Sequence, residues 1–413
     1  MRILIVNKFL YPNGGSETYI FSLGKQLERM GHEVQYFGME HEGRIVGNRA
    51  GSYTEDMNFH GSGIQKLLYP FQILYSRDAR RKIRVVLEDF RPDVVHLNNI
   101  NFQITPSVID EIHSFDPKIR IVYTAHDYQW VCPNHTLRIP ETGELCQKCI
   151  DGACQNCRQN RCIHNSRLRS TLGTMEAQLY RRRHTYRQVD TIICPSNFMK
   201  GMLEHHPDLA GRCIVMHNFL ETPSGSKISS VSDRIRKKLP ERYVLYFGRF
   251  DEEKGMKTLL ACAGKLSGIP FVFAGKGQEE AAVNTLPNGI NLGFLRGDEL
   301  TYVISHAEVS VYPSEWYENC PFSVMESQMY GTPVIASDIG GIPELIEDGR
   351  TGFLFKAGDA EELAQTIDKV FHDEAMCCRM SGECLQQAGR FLSLEDYTAR
   401  LMRIYQGVDE KHA

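Results

Sequence analysis

The sequence has no excess of basic residues, because 47 lysines and arginines stand against 51 aspartates and glutamates and give a net charge of −4. Broad nucleic-acid binding usually needs a clear basic excess, so nucleic acid is disfavoured as a partner. The chain also lacks any apolar run of the ~18 residues that a membrane-spanning helix requires. No Gly-x-Gly-x-x-Gly fingerprint follows the first predicted strand, which disfavours a dinucleotide cofactor.

The first residues do not predict a secretory leader. The apolar run after Met1 is too short for a signal peptide and has no small-residue cleavage site. We therefore expect a cytoplasmic protein, either free or peripherally attached to the inner face of the membrane. The second option depends on the apolar segment 67–75, which basic residues follow, and on the arginines between 167 and 187. Such patches suit an anionic membrane surface or a lipid-diphosphate acceptor, whereas a core helix with a solvated face is the simpler alternative.

Cysteine, in contrast, is abundant, with 13 residues of which six fall between positions 132 and 162. In a reducing compartment such a cluster indicates metal binding before disulfides. Two Cys-x2-Cys pairs, at 146/149 and 154/157, stand between Cys132 and Cys162. The spacing leaves open zinc on the two pairs, an iron–sulfur centre and free thiols.

Short runs rich in β-branched residues alternate with helical patterns along the chain. Runs of this length between helices predict parallel sheets that are buried on both faces. The polar, serine-rich segment 220–233 is typical of a linker. We therefore expect one doubly wound domain over residues 1–219, a second over 234–389 and a terminal helix within 390–413 that returns to the first domain. The predicted strands are Arg2–Asn7, Glu33–Gly38, Val94–Leu97, Ile119–Ala125, Thr191–Pro195, Tyr243–Phe247, Phe271–Ala274, Ile290–Leu292, Val309–Tyr312 and Pro333–Ala336.

The stretch from Glu318 to Glu326 places two carboxylates eight residues apart after a predicted buried strand. Pro321 suits the start of a helix, so Glu318 would lie in the loop before that helix and Glu326 inside it. The amides of residues 322–324 would then be unpaired donors at a positive helix end, which is an anion site. A ligand that carries both phosphates and hydroxyls, such as a nucleotide sugar, fits this arrangement.

This stretch and further motifs together resemble the retaining glycosyltransferases of family 4, which have the GT-B fold. The Glu-x7-Glu pair is followed by Gly331-Thr-Pro-Val-Ile-Ala336 and Gly340-Gly-Ile-Pro-Glu344. The other matching motifs, in the family's order, are Gly14-Gly-Ser-Glu17, His126-Asp127, Pro195-Ser196, Gly248-Arg249, Lys254-Gly255 and Gly275-Lys-Gly277. The resemblance implies an α/β protein with two doubly wound, Rossmann-like domains that face a central cleft.

The resemblance also implies roles for individual residues. Glu326 would accept hydrogen bonds from the ribose, and Glu318 would hold hydroxyls of the transferred sugar. Arg249 and Lys254 would embrace the diphosphate and stabilise it as it leaves. From the first domain, His126 would donate to the donor sugar or to developing charge, which completes the predicted catalytic set. The remaining donor-binding positions are Gly14, Gly15, Gly248, Gly277, Phe322 and Ser323.

Relatives of this family that carry a cysteine-rich insert suggest one ligand set for a structural zinc ion. Their pattern of Cys-Pro, one Cys-x2-Cys and a later Cys corresponds here to Cys132, Cys146, Cys149 and Cys162. We predict this set, within an insert that spans residues 130–165, and the alternatives given above stay open. No cofactor is expected for the catalytic step itself.

The activity implied by the resemblance is transfer of a sugar from a nucleoside-diphosphate sugar to an acceptor hydroxyl with retained anomeric configuration. UDP-sugars are the favoured donors, and the expected acceptor is a glycan or a lipid-linked oligosaccharide of bacterial surface polysaccharide synthesis. Two alternatives remain. One is a nucleotide-sugar epimerase or hydrolase of the same fold, and the other is a zinc-containing binding module with a vestigial sugar site.

Overall fold

The computed structural model describes residues 1–55, 74–221 and 231–408. They divide into two compact units, called unit 1 and unit 2 below. Unit 1 runs from Met1 to His217 and includes the segment from Leu394 onward, whereas unit 2 runs from Asn218 to Ser393. Most of the expected linker (residues 222–230) and most of the apolar segment 67–75 lie outside the described residues.

Unit 1 contains a parallel sheet of six strands in the order β2-β1-β3-β4-β5-β6. Because β1 has β2 on one side and β3 on the other, the strand order reverses there, and ligands of such sheets bind beyond the carboxyl ends of strands at the reversal. The elements are β1 (Arg2–Val6), α1 (Gly15–Arg29), β2 (Glu33–Phe37), α2 (Arg77–Phe90), β3 (Val94–Leu97), α3 (Ser107–Phe115), β4 (Arg120–Thr124), α4 (Gln155–Gln159), α5 (Arg167–Arg183), β5 (Thr191–Cys194), α6 (Asn197–Glu204) and β6 (Cys213–Val215).

Unit 2 contains a second parallel sheet of six strands, in the order β12-β11-β10-β7-β8-β9. Its order reverses at β7, which lies between β8 and β10. The elements are α7 (Asp233–Lys238), β7 (Val244–Arg249), α8 (Met256–Lys265), β8 (Phe271–Lys276), α9 (Glu280–Thr285), β9 (Gly289–Asn291), α10 (Gly297–Ser305), β10 (Val309–Tyr312), α11 (Phe322–Met329), β11 (Val334–Ser337), β12 (Gly352–Phe355), α12 (Ala360–Phe371) and α13 (Glu374–Ala388). The last helix, α14 (Leu394–Tyr405), belongs to unit 1.

The strands of unit 2 are buried on both faces. Val244 and Tyr246 of β7 join one buried apolar cluster, and Leu245 and Phe247 join another. Alternate side chains of a strand point to opposite faces, so each face of the sheet has its own core. Within the part of the chain that the structure describes, no helix is long and apolar enough to cross a membrane.

The structure confirms the predicted fold class, with two doubly wound parallel sheets. All ten predicted strands occur, with ends shifted by at most two residues. Sequence analysis does not predict β6 and β12. The first has only three residues, and the second, Gly-Phe-Leu-Phe, begins with glycine and has no β-branched residue. Both are edge strands that form by pairing with a neighbour, which a local pattern does not report.

Candidate active site

Glu318 lies in the loop between β10 and α11, and its side chain is buried. Its Oε1 atom accepts hydrogen bonds from Lys254 Nζ at 2.5 Å, Tyr312 OH at 3.1 Å and Ser314 Oγ at 3.1 Å. Trp316 Nε1 donates to the same oxygen. None of the described residues donates a hydrogen bond to the second carboxylate oxygen, Oε2. That atom is therefore available to a ligand hydroxyl.

The ion pair between Lys254 and Glu318 is largely removed from solvent, since the two side chains are 14% and 10% exposed. Burial by itself raises the pKa of the Glu318 carboxyl. The Lys254 ammonium and the hydrogen bonds outweigh burial and hold that pKa below its ordinary value. Glu318 is therefore ionised at neutral pH and held in one orientation, as a group that accepts from hydroxyls must be.

The donors around Glu318 follow a regular spacing in the sequence. Tyr312, Ser314, Trp316 and Glu318 occupy alternate positions from the end of β10 into the loop. Alternate side chains of an extended segment point to the same side. Sequence analysis does not name Tyr312, Ser314 or Trp316 as site residues, but this period of two is the feature from which the group could have been predicted.

The backbone of Glu318 is fixed by the pair Gly340-Gly341. The Gly341 amide donates to the Glu318 carbonyl oxygen at 2.7 Å. Gly340 has a φ of +61°, and a Cβ built on it would lie 2.4 Å from that same oxygen. Another residue at position 340 would push the Glu318 loop away. The Gly-Gly-Ile-Pro-Glu motif thus positions a carboxylate that precedes it by more than twenty residues in the chain.

Glu326 lies inside α11 and is half-buried. Burial raises the pKa of its carboxyl to about 6. Within the described ranges, its side chain makes no ion pair or hydrogen bond. A partly buried carboxylate without a partner is costly unless a ligand donates to it. The two hydroxyls of a ribose are suitable donors.

The start of α11 leaves backbone donors open between these two carboxylates. Pro321 precedes the helix, and no side chain caps it. The expectation for the Val324 amide is wrong, because that amide donates to the Pro321 carbonyl at 3.2 Å in a tight first turn. In the described part of the chain the amides of Phe322 and Ser323 have no acceptor. These two amides form part of the positive end of the helix, where an anion is favoured.

The two predicted phosphate-binding cations are both paired with carboxylates in this structure. Arg249, at the end of β7, contacts Asp251 at 2.6 Å and Glu253 at 3.1 Å, and its side chain is 59% exposed. Lys254 is held by Glu318. A bound diphosphate would therefore not meet two unpaired cations. It would replace Asp251 and Glu253 as the partner of Arg249, and it would contact Lys254 while Lys254 stays paired with Glu318.

Glycines at the ends of β7 and β8 allow these two strands to approach closely. A Cβ on Gly275 would lie 1.8 Å from the Gly248 carbonyl oxygen, and a Cβ on Gly277 would lie 2.6 Å from the backbone of Phe250. Gly248 itself has a φ of +143°. Backbone packing alone requires glycine at these positions, and ligand contact by Gly248 and Gly277 stays a prediction.

In unit 1, Gly14 immediately precedes α1 and Gly15 is its first residue, and both are exposed. Glu17 in the first turn is buried and accepts hydrogen bonds from the Asn7 side-chain amide and the Ser16 hydroxyl, each at 3.0 Å. Glu17 therefore fixes the start of α1 against the end of β1. The exposed backbone of the two glycines stays a predicted contact to the donor phosphates.

His126 follows β4 and is half-buried. Its Nε2 lies 2.9 Å from Asn98 Oδ1, and the Asn98 amide group donates to the His96 carbonyl at 3.3 Å. Asn98 Oδ1 is thus the acceptor and His126 Nε2 the donor. Burial lowers the pKa of His126 to about 4. At neutral pH the ring is uncharged, so it can orient a hydroxyl but supplies no positive charge.

The neighbours of His126 have structural partners. The position of His96 at a strand end suggests ligand contact, but the ring is fully buried and bonded to Tyr405 OH at 2.6 Å. Asp127 accepts from the Asn101 amide at 2.9 Å. Neither the His96 ring nor the Asp127 carboxylate is therefore assigned a catalytic role.

Asparagines that sequence analysis does not name gather at the carboxyl edge of the unit 1 sheet. The backbone amide of Asn99 donates to Asn7 Oδ1 at 3.1 Å, and the Asn99 side chain donates to Ser16 Oγ at 3.0 Å. These bonds connect the ends of β1 and β3 to the start of α1. The run Asn98-Asn99-Ile-Asn101 directly after β3 is the feature that could have indicated them.

The clustered cysteines lie in unit 1, between β4 and α5. Cys132 is buried and Cys146 is half-buried. One buried cluster unites Cys149, Cys154, Cys157 and Cys162. Among the described residues, no three or more histidine, cysteine, aspartate or glutamate side chains are arranged so that they could hold a metal ion. The zinc site on Cys132, Cys146, Cys149 and Cys162 therefore stays a prediction.

Two doubly wound sheets, with a Glu-x7-Glu pair around a helix start in the second, define a GT-B glycosyltransferase. The chain belongs to glycosyltransferase family 4. Residues 13–222 match the family described as Glycosyltransferase Family 4, and residues 229–384 match the one described as Glycosyl transferases group 1. Membership of this family identifies the protein as a glycosyltransferase.

The Anabaena protein Alr3699/HepE, solved in complex with UDP, has a similar fold with a TM-score of 0.68 and 17% identity over 98% of this chain and 100% of that chain. Among curated relatives, the sulfoquinovosyl transferase SQD2 of Arabidopsis thaliana is 35% identical over 32% of this chain and 28% of its own length. The lipopolysaccharide core biosynthesis glycosyltransferase LpsE of Rhizobium meliloti is 26% identical over 48% of this chain and 58% of its own length. These two matches cover less than two thirds of either relative.

Proposed function

We propose that this glycosyltransferase moves a sugar from a nucleoside-diphosphate sugar to an acceptor hydroxyl with retention of the anomeric configuration. One arrangement in unit 2 carries the proposal. The oriented Glu318 carboxylate precedes helix α11, and the Glu326 carboxylate lies within it. Among the described residues, Glu326 has no partner and the Phe322 and Ser323 amides have no acceptor. Sugar and ribose hydroxyls suit the two carboxylates, and a phosphate suits the helix start.

Electrostatic stabilisation of the leaving nucleoside diphosphate is the main contribution that these residues can make. Negative charge gathers on the diphosphate as the glycosidic bond breaks, and fixed cations stabilise it most strongly where water is excluded. Lys254 is fixed by its buried pair, and Arg249 is exposed and able to change partners.

No residue of the site is assigned as a nucleophile. Retaining glycosidases use a carboxylate that forms a covalent intermediate. Here the Glu318 carboxylate is bonded to four donors, including an ammonium group, and these bonds reduce its nucleophilicity. Attack by the acceptor on the face that the diphosphate leaves, with that diphosphate taking the acceptor proton, accounts for retention without such an intermediate.

A UDP-sugar is the favoured donor, and a glycan or lipid-linked acceptor is the favoured partner. The donor choice is supported by the complex of Alr3699/HepE with UDP. The acceptor choice is supported by the similarity to a lipopolysaccharide core glycosyltransferase. We propose that the acceptor binds to unit 1 and the donor to unit 2. We also propose that the enzyme works on the cytoplasmic side of the membrane.

The configuration of the product tests this proposal. UDP-glucose, UDP-N-acetylglucosamine or GDP-mannose is supplied with an octyl glycoside acceptor, and the product is analysed by proton NMR. We expect transfer from a UDP-sugar with the donor's α configuration. Glu318→Gln should slow transfer roughly a hundredfold, because the carboxylate that orients the sugar loses its charge. Glu395→Gln, an exposed residue of α14, is the matched control and should keep the wild-type rate.

Three other products would contradict the proposal in different ways. A β-linked product would show inversion. Free sugar formed at the same rate without any acceptor would indicate a hydrolase, and a donor that returns with altered stereochemistry would indicate an epimerase.

We also propose that the insert binds a structural zinc ion through Cys132, Cys146, Cys149 and Cys162. Four thiols in one short segment are the donor set that zinc prefers, and burial of three of them supports this reading. Metal analysis of the purified protein should find about one zinc per chain. Cys149→Ser should lose it, and Cys378→Ser, an exposed residue of α13, should keep it. A metal-free wild-type protein would leave the thiols as a packed apolar cluster, as they are arranged here.

A further inference from the structure

A cavity of about 440 Å³ lies on the surface of the cysteine-rich insert. It is separate from the carboxyl edge of the unit 1 sheet, where Gly14, Gly15 and His126 lie. The cavity is lined by Gln155, Arg158, Gln159, Arg161 and Arg167. All five side chains are exposed, and three of them are cations.

None of the three arginines has an acidic partner among the residues that the structure describes. In the described part of the chain, no carboxylate forms an ion pair or hydrogen bond with the guanidinium of Arg158, Arg161 or Arg167. Other arginines of unit 1 are paired, since Arg183 contacts Asp110 at 3.0 Å and Arg187 contacts Asp208 at 2.7 Å. Three unpaired guanidinium groups around one cavity repel each other, and an anion bound among them would relieve this repulsion.

The cysteine cluster holds these arginines together. Cys157 precedes Arg158 and Cys162 follows Arg161, and the Cys162 amide donates to the Cys157 carbonyl oxygen at 3.1 Å. Both cysteine side chains belong to the buried cluster. This closes the short loop that carries both arginines. The same cluster packs against Ala177 of α5, which fixes the helix relative to the loop. The arrangement of the cavity is therefore built into the fold of the insert.

Two further features indicate the chemistry of the anion. Arg167 is the first residue of the 17-residue helix α5, whose positive end therefore lies at the cavity. Next to it, Leu168 is 71% exposed, and Met175, seven residues on along the same helix face, is 48% exposed. Guanidinium groups bind phosphate through paired N–H donors, and an exposed apolar side chain beside them suits the boundary of a lipid layer.

We propose that this cavity binds a phosphate or diphosphate group, carried by a lipid headgroup or by a soluble phosphorylated acceptor. It is a second anion site of the enzyme, distinct from the donor diphosphate site of unit 2. The cysteine-rich insert thereby has a function, which is to present Arg158, Arg161 and Arg167 to the phosphate of the acceptor or of the lipid around it. The proposal extends the acceptor side of the proposed function and does not depend on the identity of the donor.

The test compares the full-length protein with the triple variant Arg158→Gln/Arg161→Gln/Arg167→Gln. All three positions are exposed, and circular dichroism should show that the variant folds like the wild type. The matched control is Arg182→Gln, an exposed arginine at the other end of α5. One arm titrates pyrophosphate by calorimetry at low salt. The other measures co-sedimentation with vesicles of phosphatidylglycerol and phosphatidylcholine, with pure phosphatidylcholine as the blank. Pyrophosphate can also bind at the donor site, and this binding is the same in all variants. The test therefore depends on the difference in pyrophosphate binding between the variants.

We expect the triple variant to bind at least about tenfold more weakly in one arm, while the control binds like the wild type. A loss confined to the vesicle arm identifies a lipid headgroup, and a loss confined to pyrophosphate identifies a soluble phosphorylated ligand. Equal binding by the triple variant and the wild type in both arms would overturn the proposal. The octyl glycoside carries no phosphate and so does not use the proposed site. Sugar transfer to it reports on the donor site alone, so failure of the arginine site and failure of the proposed function are distinguishable.

Discussion

Replacing Lys254 by methionine should destabilise unit 2 by about 3 kcal/mol and slow sugar transfer at least about a hundredfold. Methionine keeps most of the length of the side chain but removes the ammonium group. Glu318, only 10% exposed, would then be a buried carboxylate without its ion partner. Breaking a buried pair in this way costs more than the pair contributes by itself, because the remaining charge is left without compensation.

A second substitution separates the charge effect from the loss of packing. In the double variant Lys254→Met/Glu318→Gln no unpaired charge remains, so most of the lost stability should return, whereas transfer should stay slow. Chemical denaturation followed by fluorescence is suitable, because Trp316 donates to Glu318 and reports from beside the pair. If the single and the double variant are equally unstable, the ion pair is not what holds this loop.

The acid dependence of stability gives an independent check on the same pair. The pKa of Glu318 is lowered in the folded protein, so its stabilising contribution is present above its ordinary pKa of 4.5. That contribution is lost as the pH falls through the lowered folded-state pKa. Without Lys254 the pKa should rise, and the variant should lose this part of its acid dependence.

Replacing Glu326 by glutamine should have the opposite effect on stability, a gain of up to about 2 kcal/mol at pH 7, while nucleoside-diphosphate binding weakens at least about tenfold. Burial raises the pKa of Glu326 from 4.5 to about 6. Below pH 4.5 the carboxyl is protonated in both states and costs nothing. The penalty appears as the pH rises from 4.5 to about 6 and is constant above that. Glutamine carries no charge and so avoids the penalty.

Two measurements check this pair of effects. The stability difference between Glu326→Gln and the wild type should be small at pH 4 and complete at pH 7. Calorimetric titration with UDP, GDP, ADP and TDP should show one diphosphate that binds the wild type well and the variant weakly, with Glu395→Gln as the unaffected control. A variant that is less stable at pH 7 and binds normally would make Glu326 an ordinary helix residue.

The fold could be predicted to a large extent because its information is local. Runs of buried apolar residues such as Val309–Tyr312 indicate strands by themselves, and short connections allow only a few arrangements of such strands. The two strands that the sequence does not predict, β6 and β12, depend on neighbouring strands in the sheet for their stability. Likewise the placement of Glu318 before α11 and of Glu326 within it could be predicted, because Pro321 and the spacing are local features.

The partners of the site residues could not be predicted in the same way. Lys254 and Glu318 are 64 residues apart in the chain, and no periodicity connects them. The fold alone brings the loop after β7 beside the loop after β10. The same holds for Arg158, Arg161 and Arg167, whose lack of carboxylate neighbours is a property of the folded surface and not of the sequence around them.

The sequence by itself therefore determined the family, the two sheets and the positions of the two carboxylates around α11. Only the tertiary structure decided that Lys254 is already paired and that the His126 ring is uncharged at neutral pH. The physical reason is that ionisation and pairing depend on burial and on distances through space. Secondary structure depends mainly on neighbours along the chain, which a sequence displays directly.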